Sequence, residues 1–562
     1  MLSTCERTAS GIIYKPAENR EFPKLDLLTL LFESDISGAN EDTVLHADAA
    51  DPTKAITRAQ LRPLVKRTAY TFRHQYGIGR DGPNQDAVLA ICTGHWLLPN
   101  LFYSTIAAGG VYSASNPGST PKELAAQLAQ ISARLLFCTE DTKFTAIAAA
   151  KLVNLPLSRV LCLNPTSRTF QLTEQEHSRP IPLSASELSW QRITSLDALS
   201  ESIICIPFSS GTTGVAKACR ISHTNMVSQC TLVVDLTREY YARQGRPFVF
   251  RNVAHLPPAH TSSIQGYFIN TFYAGGTVYW MPRFDFAQFL AHARRHRLTH
   301  FFTVPPVYLL IAKSPAVTDQ FDHVEQAISG ASPMGKELQA AARAKLGRGT
   351  AQLSQTWGMT ETAGAMTFMP LGEPNDETGS VSSLMAGTMA RIVDDEGRDV
   401  EPGEMGEIWV KGPQVMKGYV GNEQANRESF VDGWFCTGDV AIFKGGLFYI
   451  LDRKKELIKC EGTQVAPSEL EALLISHPKI LDAAVIGVHV EGDEVPRAYV
   501  VADEKQITSQ DIVDWVSGQV ASHKRLRGGV IFLPSIPRTG SGKTMKNELR
   551  AFAQESAGES EI

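Results

Sequence analysis

The chain has 562 residues, of which 43% are hydrophobic and 20% charged, and its net charge is −5. This length exceeds what one hydrophobic core usually organises, so we expect at least two domains, and the composition is that of a globular protein. The charge is small and spread along the chain, which argues against a nucleic-acid-binding surface and against attachment to an anionic membrane.

The nine cysteines are dispersed and form no CxxC pair. This pattern indicates neither a zinc site nor a disulfide framework, and it is typical of a reducing compartment. The first residues, MLSTCERTASGIIYKP, lack the apolar core of a signal peptide, and no apolar run has the length of a membrane span. The last residues, GESEI, do not match the Ser-Lys-Leu peroxisomal signal. We therefore expect a soluble cytoplasmic protein.

Short apolar runs alternate with helical patterns over much of the chain. Buried strands are predicted at AVLAIC (87–92), RLLFCT (134–139), IICIPF (203–208) and THFFTVPP (299–306), and helices at WLLPNLFYSTIAAGG (96–110) and PKELAAQLAQIS (121–132). Such alternation predicts α/β architecture with mostly parallel sheets. The polar stretch 164–200 has no clear period, and we interpret it as a surface connection.

The pattern changes at about residue 379, where glycine-punctuated β runs such as GEIWVKG and GGLFYIL begin. After residue 452 we predict a helix at PSELEALLISH, strands at DAAVIGV and RAYVVAD, and a helix near SQDIVDWVSGQV. The predicted fold class is therefore α/β with an α+β C-terminal domain. Residues 1–451 would form a large N-terminal domain of two mostly parallel α/β subdomains and a β subdomain at about 379–451, and residues 452–562 a small C-terminal domain.

Two glycine-rich loops suggest phosphate binding. TGSGKT (539–544) resembles the end of a Walker P-loop, but Pro537 stands at the position of the first glycine and has no N–H for a phosphate. FSSGTTGVAK (208–217) follows a predicted strand and offers backbone N–H groups, hydroxyls and Lys217. Ala216 breaks the Walker spacing there too, and a flexible polar turn is the alternative interpretation.

Five stretches, in this order, resemble the motifs of the adenylate-forming superfamily, which includes acyl-CoA synthetases, 4-coumarate–CoA ligases, luciferases and peptide-synthetase adenylation domains. FSSGTTGVAK resembles its phosphate signature, QTWGMTE (355–361) its adenine and magnesium motif, and DGWFCTGD (432–439) its ribose motif. DRKKELIKCEGTQVAPSELE (452–471) resembles the hinge and the start of the mobile domain, and PRTGSGKTMKNELR (537–550) the catalytic-lysine loop. The resemblance spans about 40–550 and is strongest to 4-coumarate–CoA ligase-like acyl/aryl-CoA ligases.

This resemblance implies that ATP activates a carboxylic acid as an acyl-AMP, with release of pyrophosphate, and that CoA then takes the acyl group. The implied cofactors are ATP, Mg²⁺ and coenzyme A. The implied nucleotide-binding residues are Ser209, Ser210, Gly211, Thr212, Thr213, Gly214, Lys217, Ala331, Ser332, Pro333, Trp357, Gly358, Met359, Thr360, Asp439, Arg453 and Lys543.

The resemblance also implies catalytic roles. Thr360 and Glu361 would contact phosphate and hold Mg²⁺, Lys543 would bridge the carboxylate and the α-phosphate, and Lys455 would be the hinge about which the small domain rotates. Lys459 and Gln464 would support catalysis near the hinge. His260 would gate the acyl pocket.

By register with the family, the acyl pocket would be formed by His260, Thr261, Ser262, Gly266, Ile328, Ala331 and Thr356. Ser262, Ile328 and Thr356 stand where plant coumarate ligases carry Tyr, Lys and Gly, so polar contacts for a para-hydroxyl are lost. A more apolar pocket predicts an aryl or medium-chain aliphatic acid. The chain also departs from the family at Ser382, where glycine is common.

Alternative functions remain open at this stage. The acyl group could pass to a carrier protein or an amine in trans, a luciferase-like oxygenation is more distant, and a nucleotide-binding regulator without turnover is a different class. Such a regulator is expected to lack Lys543, Glu361 or Asp439, and all three are present. The expected partners are a small carboxylic acid, ATP and CoA, without nucleic acid or a membrane span, and the expected state is a monomer or weak homodimer.

Overall fold

The computed structural model describes residues 2–9, 11–164, 169–209, 216–490, 493–539 and 542–558. Its first sheet has eight strands, and the five central strands run parallel. In sheet order the strands are Arg179–Ile181, Leu172–Glu174, Val160–Leu163, Leu135–Thr139, Ala87–Ile91, Val111–Ala114, Ile203–Cys205 and Ile221–Ser222. The helices in this part of the chain are Leu27–Phe32, Arg58–Tyr76, Leu98–Ala107, Pro121–Gln130, Lys143–Leu152 and Leu196–Glu201.

The predicted helix at 121–132 shows how local sequence sets an element. Thr120 Oγ1 accepts a hydrogen bond from the backbone N–H of Glu123 at 3.3 Å, and the Glu123 carboxylate accepts one from the N–H of Thr120 at 2.7 Å. Pro121 occupies the first helical position, where no N–H is needed. Leu124 and Leu128 face the core, so the helix forms at a capped start with one apolar side.

A second α/β region contains two smaller sheets. One consists of Arg251–Ala254, Thr277–Trp280, Val44–Asp48 and Ala55–Thr57, and the other of the parallel strands His300–Thr303, Gln326–Ser329 and Gln352–Gln355. The helices here are His223–Arg243, Thr261–Ser263, Ile264–Asn270 (a π-helix), Thr271–Ala274, Phe286–His296, Pro305–Lys313 and Lys336–Arg343. Two further hairpins pair Gly358–Met359 with Gly364–Ala365 and Thr367–Phe368 with Ser383–Leu384.

A seven-stranded antiparallel sheet forms the β subdomain. Its strands are Thr4–Thr8, Gly11–Lys15, Met389–Val393, Gly406–Lys411, Trp434–Lys444, Phe430–Val431 and Leu447–Arg453, and the helix Glu423–Ser429 lies beside it. The first two strands come from the start of the chain and join the sheet through the pairing of Tyr14 with Ala390. The N-terminal segment thus completes a sheet whose other strands lie almost 400 residues away in sequence.

The C-terminal part is α+β. The hairpin Ile458–Cys460 and Thr463–Val465 precedes a three-stranded sheet of Ile480–Val490, Asp493–Ala502 and Val530–Phe532. The helices are Pro467–Ser476, Ser509–Ser517 and Lys546–Gly558. Buried aliphatic side chains, including Ile458, Leu470 and Val485, give this unit its own core.

The predicted fold class is confirmed, but one local interpretation is wrong. Residues 164–200 are not simply a surface connection, because they contain the hairpin Leu172–Glu174 and Arg179–Ile181, which extends the first sheet, and the start of the helix Leu196–Glu201. Trp190 in this stretch is buried and packs against Phe32. Within the described residues, no helix combines the length and the apolar character that crossing a membrane requires.

Candidate active site

A cavity of about 390 Å³ opens between the large α/β part, the β subdomain and the C-terminal lysine loop. Polar and charged side chains dominate its walls, as a site for a phosphorylated ligand requires. The lining residues are Ser209, Lys217, Met359, Thr360, Glu361, Glu407, Tyr419, Glu428, Ser429, Phe435, Cys436, Thr437, Gly438, Arg453, Lys454, Lys455 and Lys543.

The buried carboxylate of Asp439 lies behind one wall, next to the lining residues Gly438 and Arg453. Asp439 and Arg453 are direct cross-strand neighbours, and Arg453 Nε lies 3.1 Å from Asp439 Oδ1. The other oxygen, Oδ2, accepts a hydrogen bond from Trp357 Nε1 at 2.7 Å. Burial raises the pKa of Asp439, while Arg453 and the indole hydrogen bond oppose that shift. Both carboxylate oxygens are therefore held in fixed directions.

A second wall carries Lys217 and Glu361. Lys217 lies on a short strand that pairs with Phe208–Ser209, and Glu361 lies in the helical turn Thr360–Thr362. Tyr419 connects the two, because its hydroxyl donates to Glu361 Oε1 at 3.0 Å and its ring lies 4.6 Å from Lys217 Nζ. The cavity thus presents one cation over the face of an aromatic ring and one carboxylate at its hydroxyl end.

Lys543 reaches the same cavity from the C-terminal part. The Thr539 N–H donates to Lys543 O at 2.8 Å, and Arg538 Nη1 donates to Gly542 O at 3.0 Å, so the backbone at residues 542 and 543 is held against residues 538 and 539. Burial lowers the pKa of Lys543, Arg453 lowers it further, and Asp439 and Glu361 act in the opposite direction. The charge of the ammonium group is therefore partly offset by both carboxylates of the site.

Glycines permit two close approaches that shape this region. A Cβ on Gly358 would lie 1.9 Å from the carbonyl oxygen of Gly364, so the hairpin that presents Thr360 and Glu361 admits no side chain there. Gly542 has φ +81°, and a Cβ on it would lie 3.0 Å from Val304 Cγ2 of the large domain. The lysine loop thus approaches the large domain closely through this glycine.

The segment after Arg453 joins the two parts of the chain. Lys454 Nζ contacts Asp395 Oδ1 at 2.8 Å and Glu407 Oε2 at 3.2 Å, and the Lys454 N–H donates to Gly438 O at 2.9 Å. Burial lowers the pKa of Lys455, the predicted hinge residue, whose Nζ lies 3.7 Å from Glu456 Oε1. The start of the C-terminal part is therefore bound to the β subdomain through Lys454.

The predicted acyl-pocket residues lie around the strands at 300–303 and 326–329. Gly266 on the π-helix faces the ring of Phe302, since an added Cβ would lie 2.2 Å from that ring. Ile328 packs against a hydrophobic cluster that includes Leu232 and Phe368, and the Thr356 hydroxyl donates to the carbonyl oxygen of Thr367.

His260 and Thr261, at the start of the short helix Thr261–Ser263, each have a polar atom without a hydrogen-bond partner in the part of the chain that the structure describes. Among the described residues, His260 Nε2 and Thr261 Oγ1 are buried and have no hydrogen-bond partner, whereas Ser262 is exposed. Burial lowers the pKa of His260 to about 4, with a further contribution from Lys543. His260 is therefore neutral near pH 7.

Other predicted site residues lie outside the cavity lining. Ala331, Ser332 and Pro333 are exposed, and Ala331 has the left-handed φ of +75°. Lys459 and Gln464 are exposed cross-strand neighbours in the hairpin that follows the hinge. The roles assigned to these residues stay predictions. The predicted phosphate contacts Ser210, Gly211, Thr212, Thr213 and Gly214 lie outside the described residues.

Several lining residues carried no recognised signal in the sequence. Tyr419 and Glu407 are far from the motifs in sequence, and Glu428 lies in the short helix Glu423–Ser429. Phe435 to Gly438 lie within the ribose motif, and their place in the cavity follows from the strand Trp434–Lys444 that carries Asp439. A strand register, which the sequence alone did not reveal, was needed to find them.

Comparison with known proteins identifies the family of this chain. The family model described as AMP-binding enzyme matches residues 32–420, and the model for the C-terminal domain of AMP-binding enzymes matches residues 469–543. The first match alone covers more than half of the chain. The protein belongs to the AMP-binding enzyme family. This confirms the predicted membership of the adenylate-forming superfamily.

Relatives and solved structures extend the similarity over nearly the whole chain. A putative acyl-coenzyme A synthetase of Emericella nidulans is 43% identical over 97% of this chain and 99% of its own length. Phenylacetyl-CoA ligase epaB of Aspergillus niger is 32% identical over 94% of this chain and 97% of its own. The ATP-bound crystal structure of MatB from Rhodopseudomonas palustris has a TM-score of 0.78 and 27% identity, covering 94% of this chain and 98% of that one.

Proposed function

We propose that this protein is an AMP-forming ligase that couples a carboxylic acid to coenzyme A through an acyl-adenylate. The observation that carries the proposal is the convergence of Lys217, Lys543, Glu361 and Arg453 on one cavity beside the buried Asp439. These residues come from four separate stretches of sequence, and the same stretches resemble the nucleotide and catalytic motifs of the superfamily. The names of the relatives support the same activity.

The first half-reaction brings two anions together, because an oxygen of the acid must attack the α-phosphorus of ATP while pyrophosphate leaves. Such a reaction depends on positioning and positive charge more than on a covalent enzyme nucleophile. Lys543 supplies a cation from the C-terminal part, and Lys217 supplies a second from the opposite wall. In the second half-reaction the thiol sulfur attacks the acyl carbonyl carbon, and AMP leaves with the electrons of the broken bond.

Asp439 fits a role in ribose binding. A carboxylate whose position is fixed by Trp357 and Arg453 can accept hydrogen bonds from sugar hydroxyls on its remaining lone pairs. Glu361 and Thr360 fit a Mg²⁺ site, since both line the cavity and offer the oxygen ligands that this ion prefers. When bound there, Mg²⁺ would offset the charge of the nucleotide phosphates.

We propose an aryl or medium-chain aliphatic acid as substrate. The hydrophobic cluster beside Ile328 and the ring of Phe302 against Gly266 support a substrate with an apolar acyl group. The nine unpaired cysteines support a reducing compartment, and we propose the cytosol.

The test is product analysis by mass spectrometry. The purified protein is incubated with ATP, Mg²⁺, CoA and a panel of benzoates, cinnamates, phenylacetates and C4–C12 acids. An acyl-CoA supports the ligase and identifies the acid class. Acyl-AMP without acyl-CoA would instead indicate a carrier protein or an amine as acceptor, and the absence of both products with every acid would contradict the proposal. The Lys543→Ala variant serves as the matched control for adventitious activity.

A further inference from the structure

Tyr419 occupies an unusual place between the two charged residues of the cavity. It is 4% exposed, and its hydroxyl donates to Glu361 Oε1 at 3.0 Å. The ammonium of Lys217 lies 4.6 Å from the centre of the same ring. A cation over the face of a phenol ring is attracted by the ring electrons, and the hydroxyl of the same phenol binds a carboxylate well. One rigid side chain therefore contacts both groups.

The backbone around Tyr419 is hydrogen-bonded to the segments that carry Glu361 and Lys217. The Met416 N–H donates to Glu361 O at 2.8 Å, and the Val420 N–H donates to Ala218 O at 2.9 Å, next to Lys217. The Tyr419 N–H donates to Asn426 Oδ1 at 2.6 Å, and Asn426 Nδ2 donates back to Tyr419 O at 3.1 Å. Residues 416–420 thus connect the strand that carries Lys217 to the turn that carries Glu361.

The hydroxyl of Tyr419 is the donor in its contact with Glu361, because a carboxylate oxygen can only accept. In the described part of the chain Lys217 and Glu361 form no direct ion pair: the ammonium lies over the face of the Tyr419 ring, and the carboxylate lies at its hydroxyl end.

We propose that Tyr419 is a positioning residue that holds Glu361 through its hydroxyl and Lys217 on its ring face. The arrangement keeps the carboxylate and the ammonium from neutralising each other, so that each remains open to the nucleotide. Glu361 is then oriented toward a divalent cation, and Lys217 toward a phosphate. This inference rests on the proposed function, because it assigns the two groups to the metal and the phosphates of ATP.

The test measures ATP binding by calorimetry with no acid present, over a range of Mg²⁺ concentrations. Tyr419→Phe keeps the ring and removes the hydroxyl, so the Mg²⁺ concentration for half-maximal ATP binding should rise about three- to tenfold, while affinity at saturating Mg²⁺ stays close to wild type. Tyr419→Leu also removes the ring, and ATP binding should weaken about threefold or more even without Mg²⁺. Tyr449→Phe is the matched control, because its hydroxyl contacts Thr378 Oγ1 instead.

A double variant separates positioning from general destabilisation. If Tyr419 acts through Glu361, adding Tyr419→Phe to Glu361→Gln should leave the Mg²⁺ dependence of Glu361→Gln unchanged. A Tyr419→Phe protein with the Mg²⁺ dependence of wild type and Tyr449→Phe would overturn the inference, as would additive losses in the double variant. The proposed function fails separately, through a wild-type protein that binds MgATP but forms no acyl-adenylate with any acid.

Discussion

Trp357 Nε1 donates a 2.7 Å hydrogen bond to Asp439 Oδ2, which joins the predicted adenine motif to the predicted ribose motif, 82 residues apart. The indole is 6% exposed, so little water competes for this bond. A hydrogen bond to a buried carboxylate is stronger than one between neutral groups. The predicted adenine and ribose motifs are therefore joined by a direct hydrogen bond.

The Trp357→Phe variant tests this link. Phenylalanine keeps an aromatic face and removes only the donor, so the KM for ATP should rise about three- to tenfold with a smaller change in kcat. Steady-state kinetics with ATP as the varied substrate measures both constants. Trp409→Phe is a suitable control, because Trp409 Nε1 has no partner among the described residues. An unchanged KM in Trp357→Phe would mean that Arg453 alone orients Asp439.

Removal of the Lys543 ammonium should separate the two half-reactions. Lys543→Ala should slow acyl-adenylate formation about 100- to 1000-fold, because one cation that stabilises the transition state is lost. Thioester formation from a supplied acyl-AMP should change far less. Pyrophosphate release and CoA consumption measure the two steps, and exposed Lys505→Ala provides the control. Equal losses in both steps would contradict a role confined to adenylation.

The sequence predicted those parts of the site that lie in contiguous motifs. Lys217, Glu361, Arg453 and Lys543 could be selected because their contiguous motifs resemble those of the superfamily, and the structure brings all four to one cavity. Tyr419 could not be selected in this way. Its role depends on contacts with residues about 60 and 200 positions away, and a single tyrosine in a glycine-flanked turn has no distinguishing pattern.

The fold shows the same division between local and distant signals. The strand at 87–91 and the helix at 121–130 follow from short apolar patterns and a capping box. The N-terminal hairpin at 4–15 and the hairpin at 172–181 were missed. The first hairpin joins the distant strand Met389–Val393, and the second extends the strand Val160–Leu163. Both consist of short strands, whose stability comes from this pairing rather than from a local periodicity.

The contact of Lys313 with the C-terminal part should favour the arrangement that delivers Lys543. Lys313 Nζ donates to Ile475 O at 3.3 Å and to Ile480 O, at the end of the helix Pro467–Ser476, where carbonyl groups attract a cation. Lys313→Met should slow adenylation about three- to tenfold and leave the thiol step unchanged. Lys345→Met is the control, since that lysine bonds Val317 O within the large domain. An equal effect on both steps would argue against domain positioning.

The backbone conformation at Ser382 accounts for the glycine that is common at this position in the family. Its φ of +76° is the left-handed conformation that glycine adopts without strain, and its hydroxyl donates to Gln355 O at 2.6 Å. Ser382→Ala keeps the strain and loses the bond, so stability should fall by about 1 kcal/mol. Ser382→Gly loses the bond but also the strain of about 1 kcal/mol, so the net change should be small.

Thermal unfolding of the two Ser382 variants provides the measurement. The same two substitutions at Ser113 are the control, because this buried serine lies within a strand and its hydroxyl donates to Ile206 O. There the glycine variant should be less stable than the alanine variant, because glycine weakens a strand with ordinary backbone angles. A Ser382→Gly protein less stable than Ser382→Ala would show that the left-handed backbone carries no cost at this position.

Buried neutral histidines should make the protein sensitive to acid. Burial lowers the pKa of several histidines, and for the five most deeply buried it falls to about 3 (His46 and His300) or about 4 (His223, His255 and His260). In the unfolded chain each histidine binds a proton near pH 6.5, whereas the folded protein does not bind it until the lower pKa is reached. The unfolded state therefore binds more protons between these values. The free energy of unfolding should fall as the pH decreases from about 6.5 to 4, by about 1.4 kcal/mol per pH unit for each histidine.

His46 offers the clearest test of this dependence. Its Nδ1 accepts a hydrogen bond from Trp280 Nε1 at 3.3 Å, and its Nε2 has no partner among the described residues. His46→Gln removes one buried titrating group, so the slope of unfolding free energy against pH should decrease by about 1.4 kcal/mol per pH unit between pH 6 and 4.5. Exposed His489→Gln should leave the slope unchanged. Denaturant unfolding at several pH values measures both, and the slope, unlike the absolute stability, is not affected by the lost bond to Trp280. Identical slopes in the two variants would show that His46 is protonated in the folded protein or exposed to water by local opening.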